Sequence, residues 1–574
     1  MKRDISKKEF YEALNKGALK LETSSLFQTF NSKGLENDQQ GHSFFDTFFD
    51  DLNIDIEVNP RELRRIPKSG AFVTVSNNPF GYVDFMALLH LVSARRDDFM
   101  IGEERSVNIE ALSPYLADDK ESFSEVLKAS ISKEQGLGLF PSGNVESYYT
   151  DDKEIADRQW DFSLLSEIRD ANVPIIPIYI QGQNDVFFHL MEASKSDKEL
   201  DLSKWATPGR KTLRMRIGNP ISVEEQQNFK DANRFSRFLR VKTMMLGCLL
   251  EPQINSEGFF NKTSIVASNV DKDLEVEEII DAVPVSVIEQ ELEEIKDLKV
   301  LTNSVYDAYV SSSRRIPNIL REIGRLREIT FRAVGEGTNK AVDLDEYDLY
   351  YHHLFVWDTE NKKIVGSYRI GKGQEIMNKY GIKGFYTSSL FHMDPAFSHY
   401  LERGCELGRS FVRSEYQLKR LPLYLLWQGL LSLMFSEKNN YQYLLGPVSI
   451  SNEYTDLSKS LIAQFVKKYY FDHELAKLIH PLNEFKIDLS DLDHEPLWDF
   501  TGDDFQRFDK LIGDVDPKHH GVPILLKKYI KQSGKILAFN VDPDFNDAID
   551  GFLLLNMEDI PQDQLADLTK NMDV

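Results

Sequence analysis

The chain has 574 residues, is 41% hydrophobic and 28% charged, and carries a formal net charge of -24. That length is about three or four domains' worth of chain with ordinary cores, and the negative balance argues against general nucleic-acid binding, since a phosphate backbone attracts the opposite sign. Only Cys248 and Cys405 are present, which gives neither a disulfide framework nor a Cys-based zinc site.

The opening stretch MKRDISKKEFYEALNKG is too polar for a secretory core, and no apolar run approaches the roughly 18 residues of a membrane span. The expectation is a cytoplasmic protein whose membrane contact, if any, is peripheral. Residues 1–60 read as amphipathic helix, then HSFFDTFFD, whose Phe44, Phe45, Phe48 and Phe49 fall on one helical face. Such a face packs a core, or it touches a membrane or an acyl chain.

From Lys68 the pattern becomes α/β. AFVTVS is a buried-type strand, NNPFGYVD a turn and FMALLHLVS an apolar helix; the strands LGLFPSG, VPIIPIYIQG and LRMRIGNPI follow, each closed by Gly or Pro. The order of these blocks resembles the glycerolipid acyltransferase family over roughly residues 60–250. That family uses an Asn-His…Asp block, in which the histidine deprotonates the acceptor hydroxyl and the aspartate holds the ring. In this sequence Asp84 is present, with the five-residue spacer of the hemolysin-like branch, but Asn78 stands in the histidine position. The second block, Phe-Pro-x-Gly and a glutamate, reads Phe140, Pro141, Ser142, Gly143 and Asn144, again with an amide for the acid. An amide cannot act as a base near neutral pH, and His90 lies on the following helix, away from the motif. The resemblance implies a retained fold that has lost its hydroxyl-acylating chemistry.

Residues 253–298 read as an acidic linker, running from Asp271 through Glu293 and Glu294 to Asp297. The sign then flips at Arg314, Arg315, Arg321, Arg325, Arg327 and Arg332, which form a solvated helix face or a dock for an acidic partner or anionic headgroups. Two strands, YYHHLFVWD and KKIVGSYRIG, lead to ELGRSFV, the apolar helix LYLLWQGLLSLM, the strand YQYLLGPVSI and the helix LSKSLIAQFVKKYY.

ELGRSFV sets Glu406 and Arg409 three apart, positions that face opposite ways on a strand unless a bulge re-aims one. Burying either one unpaired is costly, so they are a structural ion pair or they handle a charged substrate. The meander followed by strand–helix–strand–helix resembles a Gcn5-related N-acyltransferase, a fold whose fourth and fifth strands splay to admit the arm of an acyl thioester. Over about 300–555 the finer match is to acyl-homoserine lactone synthases and ornithine-lipid or hemolysin-like N-acyltransferases. Their Arg-x3-Phe falls on Arg327 and Phe331, their Asp-x2-Asp on Asp345 and Asp348, their strand arginine on Arg369, and their Glu-x2-Arg on Glu406 and Arg409. The tail through AFNVDPDFNDAIDG is similar to hemolysin-like chains. The pyrophosphate loop of coenzyme A users is missing, which implies acyl carrier protein as the donor.

N-acylation needs a neutral amine beside a thioester carbonyl, a proton acceptor and donors for the oxyanion. Glu406 is the candidate proton acceptor and Arg409 the clamp for a substrate carboxylate. Asp345 and Asp348 position the amine, or pair with Arg369 and Arg327 as a structural cage. The helix LYLLWQGLLSLM is core and also a candidate wall of an acyl tunnel, while Arg413, Lys419 and Arg420 are placed to meet a carrier's acidic surface. A covalent role for Cys405 lacks a histidine partner, His353 is a spare base, and the Asp488–Glu495 cluster fits no metal loop and reads as surface.

The expected architecture is α/β: an N-terminal glycerolipid acyltransferase-like domain at 1–252, a linker at 253–298, and a GNAT domain at 299–574. The expected function is transfer of a (3-hydroxy)acyl group from acyl carrier protein to the amino group of ornithine or glycine, with no bound cofactor and no metal. Partners are the carrier protein, an amino-acid or lyso-lipid acceptor and the inner-membrane surface, with no nucleic acid. Two alternatives stand: an enzyme whose N-terminal domain also O-acylates the lyso-lipid, and a non-enzymatic lipid-binding protein.

Overall fold

The computed structural model describes residues 45, 49, 54–78, 82–102, 115–117, 122–142, 148–149, 155–156, 160–181, 211–247, 276–417, 421–437, 440–490, 492–516, 518 and 520–569. The chain forms two compact units, Met1–Thr263 with Leu489–His519, and Ser264–Asp488 with His520–Val574.

The first unit is built on β1 (Ile54–Val58), β2 (Phe72–Ser76), β3 (Phe99–Ile101), β4 (Gly136–Leu139), β5 (Ile175–Ile180) and β6 (Lys211–Ile217), in the sheet order β1-β6-β5-β2-β4-β3. All neighbours are parallel except β5 and β6. The central strands β2, β4 and β5 are buried along their whole length, which is why their sequences are continuous apolar runs rather than alternating ones. Phe45 and Phe49 are buried in the core beneath the sheet, so these two rings take the packing reading; Phe44 and Phe48 lie outside the described residues.

The second unit carries an eight-stranded sheet of β7 (Lys299–Asn303), β8 (Tyr306–Ser312), β9 (His352–Asp358), β10 (Lys363–Lys372), β11 (Gly404–Val412), β12 (Tyr443–Ile450), β13 (Lys535–Asp542) and β14 (Ala548–Asn556). Its order is β13-β14-β12-β11-β10-β9-β8-β7, antiparallel except where β11 meets β12. That parallel pair holds only from Gly404–Glu406 to Tyr443–Leu445, after which the strands part. Gly446 sits at the fork with φ 146°, and a Cβ there would come 2.2 Å from the Leu407 carbonyl oxygen, so only glycine permits the approach.

The boundaries expected at 252 and 298 move. The acidic stretch is not all linker: Val285–Glu294 is a helix whose Ile288 and Leu292 pack, with Ile295, against Ile316, Ile319 and Ile323, and burying each such side chain contributes about 1.5–3 kcal/mol. Glu291 is buried because its carboxylate caps the next helix, Pro317–Arg332, accepting from the backbone N–H of Asn318 at 2.9 Å and of Ile319 at 2.8 Å. Asp271, Asp273 and Glu275 lie outside the described residues. Residues 489–519 also leave the second half and fold into the first unit, where Asp514 meets buried Lys242 at 2.8 Å and Phe500 stacks on Phe238.

Candidate active site

The helix Pro317–Arg332 turns Ile319, Ile323 and Leu326 into the core, and Arg327 follows on that buried side. Gly324 lets the next loop press close, since a Cβ there would meet Leu344 at 2.7 Å, and the Asp343 N–H donates to the Gly324 carbonyl at 3.2 Å. Within that loop Asp345 and Asp348 form a reciprocal cap. Asp345 accepts from the N–H of Tyr347 and Asp348, and the Asp348 carboxylate accepts from the Asp345 N–H at 2.9 Å.

Three arginines and three aspartates then close into a ring of alternating charge. Arg327 bonds Asp343 at 3.1 Å and Asp348 at 2.8 Å; Arg369, from β10, bonds Asp345 at 2.5 Å and lies 3.4 Å from Asp348. Arg409, from β11, completes it at 3.8 Å from Asp343 and 3.6 Å from Asp345. Burial pushes the Asp343 and Asp348 carboxyls up, but the adjoining guanidinium groups outweigh it and hold both below the usual carboxylate range. Asp343 is the member that the sequence reading missed; its place two residues before Asp345 on the same loop was the available signal.

Arg409 reaches the ring through a bulge. Ser367 pairs with Phe411 but Arg369 with Gly408, so β11 carries one residue more than β10 over that span, and Arg409 itself sits at φ 49°. Glu406 and Arg409 consequently both meet Tyr386, one through its backbone and one over its ring. The Glu406 carboxylate accepts from the N–H of Tyr386 at 3.0 Å, from the N–H of Thr387 at 2.7 Å and from the Tyr351 hydroxyl. Arg409 lies over the Tyr386 ring at 5.6 Å and the Phe545 ring at 4.5 Å. The two are not an ion pair with each other. Burial pushes the Glu406 carboxyl up, partly offset by its donors, and its carboxylate sits behind the cleft wall.

The cleft opens where β11 and β12 part. A cavity of about 370 Å³ is lined by Leu407–Val412 on one lip and Pro447–Ser449 on the other, with Phe331, Asp542, Phe545 and Asp550. A second, mostly apolar cavity of about 980 Å³ lies between Leu421, Leu423, Tyr424 and Leu426 of the helix Leu421–Ser436 and Ile524, Leu525, Lys527 and Lys528, with Lys531 beyond. Tyr368, Ser410, Phe411, Val412, Gln417 and Leu525 line both. Of the residues expected at the site, Arg409 and Phe331 line the smaller cavity, while Glu406, Arg327, Arg369, Asp345 and Asp348 stand behind it.

The remaining candidates are placed away from chemistry. His353 is buried with Nε2 3.3 Å from the Asp348 carbonyl, and burial lowers it to about 4. Cys405 is fully buried, which pushes its thiol up. In the arginine run, Arg325 and Arg332 pair with Glu322 and Glu328 on their own helix. Asp493 pairs with Arg237 and the His494 ring accepts from Trp498; Lys419, Arg420 and Asp491 lie outside the described residues.

In the first unit Asn78 and Asp84 are buried, Phe140 and Pro141 directly follow β4, and Gly143 and Asn144 fall outside the described residues. Asn77 clamps β5, accepting from the Ile180 N–H at 2.7 Å and donating to its carbonyl at 2.8 Å. His90 packs on the Phe49 ring at 5.5 Å. Among the described residues no helix is long and apolar enough to cross a membrane.

The chain is 33% identical over 303 residues to the glycine N(alpha)-acyltransferase of Bacteroides thetaiotaomicron, a match that spans 50% of this chain and 88% of that protein. The chain belongs to the glycine N(alpha)-acyltransferase family. The acetyltransferase (GNAT) domain family matches residues 326–428, which contain the ring, the bulge and one lip of the cleft, so this is an N-acyltransferase on an α/β fold. The lyso-glycine lipid O-acyltransferase of Phocaeicola vulgatus is 21% identical over 203 residues, covering 33% of this chain and 72% of that protein. The 1-acyl-sn-glycerophosphate (LPA) acyltransferase PlsC of Thermotoga maritima, a solved structure, is 16% identical with a TM-score of 0.25, covering 35% of this chain and 73% of that one.

Proposed function

We propose that the second unit moves a fatty acyl group from a carrier-bound thioester to the α-amino group of glycine, forming an N-acyl aminolipid. The observation that carries this reading is the shared wall: a mostly apolar cavity of about 980 Å³ adjoins the smaller one that Arg409 and several carboxylates line, and a thioester carbonyl at the junction would face both. Both volumes fall within or near the roughly 300–1,000 Å³ of ordinary ligand pockets. Arg409 takes the amino acid's carboxylate, because its links to the ring are the longest and its Nε makes no hydrogen bond. The ring of Arg327, Arg369, Asp343, Asp345 and Asp348 fixes that guanidinium, and Glu406 fixes Tyr386 beneath it.

An acyl carrier protein suits the donor side, where Lys527, Lys528 and Lys531 edge the apolar cavity and can meet an acidic surface or a phosphate. Exposed Ile524 and Leu421 at the same edge suit a peripheral approach to the membrane. Glycine is the acceptor of the relatives; ornithine is a second reading, favoured by Glu336 and Glu453 in the cleft, which could hold a second ammonium. The first unit is read as an acyl-chain or lipid-binding domain, because Asn78 offers no base for an ester-forming step.

Mass spectrometry of lipids from cells expressing the chain tests this. N-acylglycine should accumulate with the native sequence and be absent with Arg409→Gly; accumulation of N-acylornithine alone would move the acceptor, and no N-acyl amino acid at all would remove the proposal.

A further inference from the structure

The cleft holds a residue for which the family motifs give no role. Asp550 lies on β14 directly opposite Ser449 of β12, and the Ser449 hydroxyl donates to its Oδ1 at 2.6 Å. It is 4% exposed, yet it lines the cleft that Arg409 lines from the other lip. Among the lining residues described, Arg409 is the cation, against the carboxylates of Glu336, Glu453, Asp542 and Asp550. That asymmetry suits a zwitterion, with its carboxylate on Arg409 and its ammonium across the gap. Glu406 is already engaged by three donors and does not line the cleft, and His353 is sealed behind the ring.

We propose that Asp550 is the proton acceptor of the reaction, taking a proton from the ammonium of the amino acid held by Arg409, with Ser449 fixing the carboxylate. This rests on the N-acyltransfer reading above. One N–H bond of the ammonium breaks and its proton goes to the Asp550 carboxylate. The freed lone pair forms the C–N bond at the thioester carbonyl, the C–S bond breaks, and the second proton leaves nitrogen to make the departing sulfur a thiol. Asp550 then returns its proton to water through the cleft.

Asp550 is raised to about 7, first by burial; of the groups facing it, the Ser449 hydroxyl and Arg409 lower it while Asp542 and Glu336 raise it. Tyr386, which also lines the cleft, stays neutral because burial pushes its hydroxyl up. A carboxyl so placed can both accept and release a proton near neutral pH, which is the condition for efficient general-base work.

The test uses the purified full chain with an acyl-pantetheine or acyl-carrier thioester, following thiol release with glycine between pH 6 and about 9.5. The native rate should rise through about pH 7 and level off. Asp550→Asn, which still accepts from Ser449, should lose about 100-fold or more at pH 7 and climb tenfold per pH unit as free amine accumulates. Hydroxylamine, uncharged at pH 7, should restore the variant toward the native rate, because it brings no ammonium proton for Asp550 to take and the one proton it loses goes to the departing sulfur. Ser449→Ala should shift the acid limb of the profile to higher pH. A native rate in Asp550→Asn, or a loss that hydroxylamine does not restore, overturns the assignment. A native chain that acylates no amino acid overturns the underlying reading instead.

Discussion

Arg409 and Asp343 face each other across 3.8 Å, the longest contact in the ring, and the Arg409 Nε pointing that way makes no hydrogen bond. Every other arginine of the ring has at least one contact of 2.8 Å or less. A bidentate carboxylate from substrate would improve on what Arg409 has; Arg369 also keeps two unpartnered guanidinium nitrogens, but of the three arginines Arg409 is the one that lines the cleft. Arg409→Gly is a usable probe, since the residue sits at φ 49° and glycine relieves the roughly 1–2 kcal/mol of backbone strain that Arg409 itself carries there, which offsets part of the lost contacts. The expected result is a loss of about 10²–10³ in kcat/KM for the amino acid, with thermal stability within about 1 kcal/mol of native.

The ring itself is a stability element. Arg327→Ala leaves Asp343 and Asp348 buried without their main partner, and removing one member of such a pair costs about 3–5 kcal/mol. Because both carboxyls are held below the unfolded value, their contribution is fully present above about pH 4 and drains away as the pH falls through the depressed values. Urea unfolding at pH 7 and at pH 3 should show the native-minus-variant gap shrinking at the lower pH; a gap independent of pH contradicts the ring's role.

Glu406 acts on position. Glu406→Gln must present an amide N–H₂ to at least one of the donors at Tyr351, Tyr386 and Thr387, with a cost of about 1–3 kcal/mol for the group left unpaired. Amide exchange at Tyr386 and Thr387 should accelerate, and kcat should fall with little change in the pH of half-maximal rate. An unchanged exchange rate with complete loss of activity would instead return Glu406 to the proton-transfer role.

Asp514 tests where the first unit ends. It holds Lys242, which is 2% exposed, and the Asn219 backbone and side chain. A fragment ending at 252 lacks this whole segment and should be cleaved readily by trace protease, and Asp514→Ala in the full chain should cost about 3–5 kcal/mol. A protease-resistant 1–252 fragment contradicts the division seen here.

Much of the second unit was legible because its strands alternate or run apolar as strands do, and because Glu406, Arg409 and Arg369 sit on strands with strong periodicity. The bulge was legible as a condition, since two charges three apart on one strand could share a neighbour only with an added residue. Other features were not. Asp343 was marked only by its place two residues before Asp345, and its contacts with Arg327 and Arg409 depend on a loop path that Gly324 permits. Asp550 lies in a run that reads as a plain strand, AIDG, and gains its place only by pairing with Ser449, about 100 residues away in sequence. The 489–519 excursion was not legible and was counted with the second domain, because its partners, Arg237 and Lys242, lie on a helix more than 200 residues earlier.

The central claim is that the cleft between β11 and β12 joins an acyl thioester to an amino acid. Product analysis on the purified full chain, given palmitoyl-carrier thioester and isotope-labelled glycine, tests it most directly. The account predicts one labelled N-acylglycine per thiol released and none from Arg409→Gly. Thiol release without labelled amide, or equal product from the variant, would contradict it.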